Sequence, residues 1–211
     1  MTLVRKRVQD AAVGVAVADT ADALGTFLQP GCVAAIWRRH MPRDVGTWLD
    51  GQPPDSLPRG RITVRPDAVE NAVHAMCAGS GLPDGPERDW LVADASALAA
   101  VFSQLLSPRF LRLRLDVVNT NACRRFHIDA VTARLVCTYR GTGTQYGVST
   151  DGNDPARVFT VPTGAPILLR GMLWPTQPPS GLLHRSPPIE GTGETRLVLV
   201  LDPLDEDQDA A

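Results

Sequence analysis

The second half of the chain consists of short strand-like segments, and this pattern is the strongest constraint on the fold. Residues 109–118 alternate apolar and polar side chains along the whole segment. An alternation of period two predicts a β-strand with one buried face. Further apolar runs at 133–139, 165–170 and 195–202 are separated by turn residues. Several short strands at close spacing predict a β-sandwich or barrel.

The first half is predicted to cover this β structure with helices. Apolar residues recur at near-helical spacing over 66–78 and 87–106, which predicts two helices with one apolar face each. Residues 1–30 are predicted to hold a short helix or two. Residues 32–37 are predicted to form a buried strand. The segment 42–58 is rich in Pro, Gly and Asp, which predicts a loop with at most a short helix.

The chain length favours one domain. A chain of 211 residues is long enough for one full core and short for two. We therefore predict a single domain over residues 1–204, in which helices and strands of residues 1–108 cover a β core of residues 109–202. The acidic tail, residues 205–211, is predicted to be disordered.

The composition argues against a nucleic-acid or membrane partner and favours a cytoplasmic location. The net charge is −2, from 21 basic and 23 acidic side chains, so nothing points to a nucleic-acid or membrane partner. The four cysteines show no Cys-x-x-Cys pair, which favours free thiols in a reducing cytoplasm. Basic residues 5–7 before an apolar stretch loosely resemble a signal peptide, but Asp10 borders that stretch and its residues are small.

A His-x-Asp pair follows one of the strand-like runs. His127 and Asp129 are two residues apart, and residues i and i+2 of a strand point to the same face. They can bind one divalent cation from one side, and His184, at the end of another strand-like run, is the best candidate for a third ligand. Two histidines and one carboxylate form the facial triad that binds non-haem Fe(II). The alternative is a strand with one surface histidine and one surface aspartate.

The order and the motifs of these residues resemble those of two known families. The order His127-x-Asp129, His184 and then Arg196 on the last strand resembles the double-stranded β-helix of the Fe(II)/2-oxoglutarate-dependent oxygenases. Over roughly residues 30–202 the chain also resembles a mostly bacterial family of domains of unknown function, often found beside zinc-responsive metallochaperone GTPases. The shared motifs are Cys123-Arg124-x-Phe126-His127-x-Asp129, Tyr139-Arg140-Gly141-x-Gly143-Thr144 and His184-Arg185-Ser186-Pro187-Pro188. That family has an acidic residue and a tryptophan where this chain has Gln145 and Tyr146.

The resemblance implies a fold and cofactors. The fold is α+β, mainly β, with a double-stranded β-helix (jelly-roll, cupin-like) core and N-terminal helices packed on one sheet. The cofactors are Fe(II), held by His127, Asp129 and His184, and 2-oxoglutarate, whose distal carboxylate pairs with Arg196. The implied reaction is the oxidation of a small molecule or a peptide.

Other residues are assigned to the surroundings of this site. Arg140 competes with Arg196 as the carboxylate clamp, and Tyr139 is a candidate hydrogen-bond donor to the cosubstrate. The alternative for Arg196 is a surface salt bridge with one of the tail acids. Cys123 and Cys137 are expected to pack, although a thiolate ligand would favour zinc. The pocket wall is assigned to Trp174, Tyr146 and Cys137.

Three functions stay open on the sequence. The first is an Fe(II)/2-oxoglutarate-dependent oxygenase. The second is a non-catalytic protein of the same fold that binds zinc for metal homeostasis, motivated by the neighbourhood of the family. The third is a metal-free β-barrel binding module in which the histidines and the aspartate are incidental.

Overall fold

The structure, a computed structural model, describes residues 11–150, 152–175 and 181–205. The tail predicted to be disordered lies outside the described residues except for Asp205. The helices are α1 (Arg43–Gly51), α2 (Val69–Ser80) and α3 (Pro86–Leu106). The strands are β1 (Val15–Ala18), β2 (Ala34–Trp37), β3 (Gly60–Val64), β4 (Phe110–Val118), β5 (Ala133–Arg140), β6 (Gln145–Val148), β7 (Phe159–Thr160), β8 (Pro166–Arg170), β9 (Leu182–Arg185) and β10 (Arg196–Leu204).

The strands form one large sheet and one small sheet. The large sheet has seven strands in the order β1-β2-β8-β5-β10-β4-β3, antiparallel except for the pair β1 and β2. The small sheet has the order β7-β6-β9. An isolated antiparallel bridge between His127 and His184 adds the His127 segment to its β9 edge. The chain is therefore a mixed α+β protein with a large sheet and few helices, as the sequence predicts at this level.

Alternation along β5 and β10 divides the large sheet into two faces. On one face, which we call the helix face, Leu135, Cys137, Leu197 and Leu199 are buried in one core with the helices. The other face, which we call the cavity face, carries an aliphatic group that packs against the small sheet. That group consists of Val136, Val198 and Val200, and it meets Tyr146 and Leu182. The small sheet and the helices thus cover opposite faces of the large sheet.

Helix α3 is the main cover of the helix face. By length and composition it is the one helix in the described part of the chain that could cross a membrane. Here Leu91, Leu98 and Phe102 are fully buried in the core, because their near-helical spacing places them on one side of the helix. Burying each such side chain contributes about 1.5–3 kcal/mol.

Some local predictions differ from the structure. The predicted helices at 66–78 and 87–106 correspond to α2 and α3, and the segment 42–58 contains the nine-residue helix α1. Residues 1–30, predicted to hold a short helix or two, contain a 3-10 helix at Asp22–Leu28, but Val15–Ala18 form β1 because they pair in parallel with β2. Residues 145–146, assigned to a turn, begin β6, where Tyr146 pairs with His184. Long-range pairing therefore overrides local sequence preference at both places.

Candidate metal centre

The two histidines predicted as ligands are joined through their backbones. His127 N donates to His184 O, and His184 N donates to His127 O, each at 3.0 Å. The residues are therefore a directly opposed pair at the edge of the small sheet, and directly opposed side chains share a face. The imidazole rings lie 4.6 Å apart between centroids. The pairing thus brings together residues that are far apart in the sequence.

Asp129 completes a compact group with the two histidines. One ligand atom from each of His127, Asp129 and His184 lies within 4.8 Å of the other two. Asp129 Oδ2 is 2.9 Å from His184 Nε2, and Asp129 Oδ1 is 3.5 Å from His127 Nε2. The structure thus places the three predicted ligands at one point, although their role as ligands stays a prediction.

The hydrogen bonds around these atoms fit a bound divalent cation. His127 Nδ1 lies 2.8 Å from the carbonyl oxygen of Arg125, so Nδ1 donates there and Nε2 keeps its lone pair for the cluster. Asp129 Oδ2 is buried and has no hydrogen-bond partner among the described residues, because its contact with His184 lacks hydrogen-bond geometry. A buried carboxylate oxygen without a donor is costly. A cation between this oxygen and the imidazoles removes that cost.

Electrostatics keep the carboxylate ionised. Burial acts to raise the pKa of Asp129, but contacts with His127 and His184 and the positive charge of Arg134 outweigh it and hold the pKa well below its usual range. The contact with Asp129 raises the pKa of His127, while burial opposes that rise. Asp129 therefore offers a charged oxygen at any pH near neutrality.

Two residues that the sequence did not single out hold Asp129 in place. Arg134 Nη1 donates to Asp129 Oδ1 at 2.5 Å. The Nε and Nη2 atoms of Arg134 donate to the two carboxylate oxygens of Asp202, at 2.6 and 2.8 Å. Alternation along β5 and β10 predicts polar side chains at both positions, but no local pattern indicates that they meet.

A cavity of about 120 Å³ lies between the cluster and the cavity face of the large sheet. The two histidines line it at one side, and Arg196 also contributes to its wall. Arg196 is 1% exposed, so the predicted alternative of a surface salt bridge with the tail is wrong. The remaining side chains of the wall include Arg114, Asp116, Arg134, Thr144 and the valines of the cavity face.

Arg196 is a buried cation held by neutral groups. Its Nε donates to the carbonyl oxygen of Thr142 at 2.6 Å, and its Nη2 to Thr138 Oγ1 at 3.3 Å. It forms no ion pair with any carboxylate in the described part of the chain. Burial lowers its pKa to about 10, against the opposing effect of Glu194, so the guanidinium stays charged at neutral pH. A buried charge without an ion-pair partner is costly unless another group compensates it.

Three predicted site residues point away from the cluster. The hydroxyl of Tyr139 donates to Asp94 at 2.7 Å, and Cys137 is buried beside Arg39, both on the helix face. Arg140 Nη1 donates to the carbonyl oxygen of Gln52, next to α1. The predicted roles of Tyr139 and Arg140 at the cosubstrate, and of Cys137 in the pocket wall, are corrected accordingly. A β-bulge at Leu197 and Val198 shifts the register between β10 and β5 at the end of β5 that carries Arg140.

The remaining residues that were assigned to the surroundings of the site lie on different sides of the large sheet. Trp174 contacts Phe27 and lies under the guanidinium of Arg170, in the core of the helix face, so it is not part of the cavity. Tyr146 is opposite His184 in the small sheet and is buried between the sheets. Cys123 is exposed and lines the cavity, outside the compact group of ligand atoms.

Comparisons with known proteins agree with this architecture. Residues 18–202 match the family described as "Protein of unknown function (DUF1826)". The fold is similar to that of a dioxygenase for auxin oxidation in rice, with a TM-score of 0.53 and 13% identity over 93% of this chain and 84% of that chain. It is also similar to dioxygenase for auxin oxidation 1 from Arabidopsis thaliana in a binary complex with 2-oxoglutarate, with a TM-score of 0.56 and 12% identity over 92% and 94%. No curated protein matches the sequence.

Proposed function

The chain belongs to the family described as "Protein of unknown function (DUF1826)". From the geometry of its candidate metal centre we propose that it is a non-haem Fe(II)/2-oxoglutarate-dependent oxygenase. Its substrate is a small molecule or a peptide. One observation carries the proposal: the two histidines of the His-Asp-His cluster line the same cavity as Arg196, which is buried without an ion pair among the described residues. A cation site and an anion site on one cavity suit a cosubstrate that chelates metal at one end and carries a carboxylate at the other.

The sheet topology supports a double-stranded β-helix core. Four antiparallel strands of the large sheet, in the order β8-β5-β10-β4, lie opposite the small sheet β7-β6-β9 and the His127 segment. Two facing four-stranded layers of this kind are the plan of a jelly roll. The plant dioxygenases with similar folds add support, since one of them is bound to 2-oxoglutarate.

Each side chain has a task in this proposal. His127, Asp129 and His184 hold Fe(II), which supplies the oxidation of 2-oxoglutarate and substrate by O2 when it is bound. Arg196 binds the distal carboxylate of 2-oxoglutarate, with its guanidinium fixed by Thr138 and by the carbonyl of Thr142. The buried valines 136, 198 and 200 exclude water from the space between the two ends.

Anaerobic addition of Fe(II) and 2-oxoglutarate tests the proposal. We expect a visible charge-transfer band that is lost in Arg196→Met and kept in Arg140→Met, whose side chain lies at α1. His127→Ala and His184→Ala should not bind the metal. Tight zinc binding without any effect of 2-oxoglutarate would instead support the non-catalytic zinc protein. Undiminished metal binding in both histidine variants would overturn both functions, because the metal would then be bound elsewhere.

We also propose that residues 1–204 form one domain and that the protein works in the cytoplasm. The four cysteines are unpaired, and three of them are buried. Free buried thiols are the usual state in a reducing compartment. Mass spectrometry of the protein alkylated directly from cells tests the location, because an oxidised pair would contradict it.

A further inference from the structure

We propose that Arg134 is a positioning residue that makes Asp129 a ligand through one oxygen only. This inference rests on the proposed metal site but concerns residues outside the ligand set. Its basis is the arrangement of Arg134 between two carboxylates, one belonging to Asp129 and the other to Asp202.

The three nitrogen atoms of the Arg134 guanidinium contact two carboxylates. Nε and Nη2 form a bidentate pair with Asp202, which is 1% exposed and lies on β10. A bidentate pair of this kind fixes the plane of the guanidinium. The third nitrogen, Nη1, is thereby directed at Asp129 Oδ1. Asp202 therefore anchors the arginine to the sheet, and the arginine anchors the ligand.

This arrangement distinguishes the two oxygens of Asp129. Oδ1 accepts a charge-assisted hydrogen bond from Arg134, whereas Oδ2 is buried without a hydrogen bond among the described residues. Oδ2 is thus the oxygen left for a cation. Ligation through one oxygen uses one coordination position, and a facial triad needs the remaining positions for its cosubstrates.

The buried charges also fit this role. Arg134 alone beside a divalent cation would repel it. The carboxylate of Asp202 neutralises Arg134, so Asp129 keeps a full negative charge for the cation. A salt bridge that only joined β5 to β10 would not need the third nitrogen of Arg134 to reach the ligand.

The opposite face of the sheet provides a matched control. Arg39 and Asp94 form a comparable bidentate pair on the helix face, at 2.5 and 2.7 Å. There the remaining nitrogen, Nε, donates to the carbonyl oxygen of Gly164 instead of a candidate ligand. Both pairs are bidentate and largely buried, and of the two arginines only Arg134 contacts a candidate metal ligand.

Cobalt(II) binding to the full chain tests the inference, because the visible absorption of cobalt(II) reports its coordination number. We expect Arg134→Gln/Asp202→Asn to bind cobalt(II) about 10–100-fold more weakly. Its visible absorption should also weaken as Asp129 becomes free to bind through both oxygens. Arg39→Gln/Asp94→Asn should keep the wild-type affinity and spectrum while losing thermal stability.

A single substitution separates charge from geometry. Arg134→Lys keeps the positive charge, but its one nitrogen cannot contact Asp129 and both oxygens of Asp202, so we expect the weakened binding and the altered spectrum. It also serves as the test if the double variant does not fold. Unchanged affinity and spectrum in the folded variants would overturn the positioning role and leave the proposed function intact. Failure of the wild-type protein to bind cobalt(II) would overturn the metal site and this inference with it.

Discussion

Arg196 carries a buried charge that no carboxylate pairs with among the described residues. Its guanidinium is buried, charged and bonded only to a hydroxyl and a carbonyl among the described residues. Neutral acceptors compensate a buried charge less well than a carboxylate does. In the proposed site, the carboxylate of the cosubstrate would supply the missing partner.

We therefore predict that Arg196→Met stabilises the ligand-free protein while it abolishes 2-oxoglutarate binding. Replacing a poorly compensated buried charge with an apolar side chain of similar length is expected to raise the free energy of unfolding by about 1 kcal/mol. Urea denaturation without metal or 2-oxoglutarate measures this change. A loss of stability of the size caused by a core truncation would show that Arg196 is a structural residue.

The cysteines should differ sharply in reactivity. Cys123 is exposed, whereas burial raises the pKa of Cys77 to about 11 and that of Cys137 to about 12, and it also raises the pKa of Cys32. The thiolate is the reactive form, so buried thiols react slowly at pH 8. Iodoacetamide at that pH should label Cys123 first, and Cys123→Ser should remove the fast phase. Equal labelling of all four thiols in the folded protein would contradict the burial.

Those buried thiols also predict a loss of stability in alkaline solution. The pKa of Cys77 is raised from 9.0 to about 11. Its contribution to stability is therefore complete below pH 9 and is lost as the pH rises through 11, because between these two values the thiol ionises in the unfolded chain before it does in the folded one. A pKa raised this far corresponds to about 3 kcal/mol at most. Urea denaturation at pH 8 and pH 11 measures this effect. The free energy of unfolding should fall less between these two pH values for Cys77→Ala than for the wild type.

At the scale of elements, the turn from β5 to β6 is held by a close backbone approach. Thr144 O accepts a hydrogen bond from Val161 N, so the two segments run side by side. A Cβ atom at Gly143 would overlap the carbonyl oxygen of Val161. Only glycine fits there without a shift of the backbone. This turn therefore determines where β6 begins and places Tyr146 opposite His184.

Gly143→Ala is accordingly predicted to lower the free energy of unfolding by about 3 kcal/mol, because the overlap involves backbone atoms that cannot rotate away. Thermal denaturation measures the loss. Gly79→Ala is the control, since a Cβ there meets open space within α2. It should stabilise the protein by about 0.5–1 kcal/mol. Similar results for the two variants would refute the steric explanation.

Elements in which apolar residues recur with a regular period could be predicted from the sequence. Elements that exist because they pair with a distant strand could not. The alternation in β4 and the helical spacing in α3 lie within single segments. By contrast, β1 is a strand because β2 lies beside it. The site follows the same rule. His127, Asp129 and His184 stand out by spacing and resemblance, whereas Arg134 and Asp202 meet only through the register of β5 and β10, which no local pattern reports.

For the molecule as a whole, metal binding and folding should be linked. A cation that binds the folded chain and not the unfolded chain stabilises it by about 2.7 kcal/mol at one hundred times its dissociation constant. We expect the melting temperature to rise with Fe(II) or Zn(II) concentration and to return on addition of EDTA. His184→Ala should remove the increase without losing the fold. An equal increase in this variant would place the binding elsewhere.

The bridge between His127 and His184 has a kinetic consequence. The stretch between β4 and β5, residues 119–132, has no helix or strand of its own, and two mutual backbone hydrogen bonds at His127 join it to β9. A cation shared by both imidazoles would act as a reversible cross-link that closes this long loop. Deuterium uptake at these two amides should therefore slow when metal is added, while the centre of β10 exchanges at an unchanged rate.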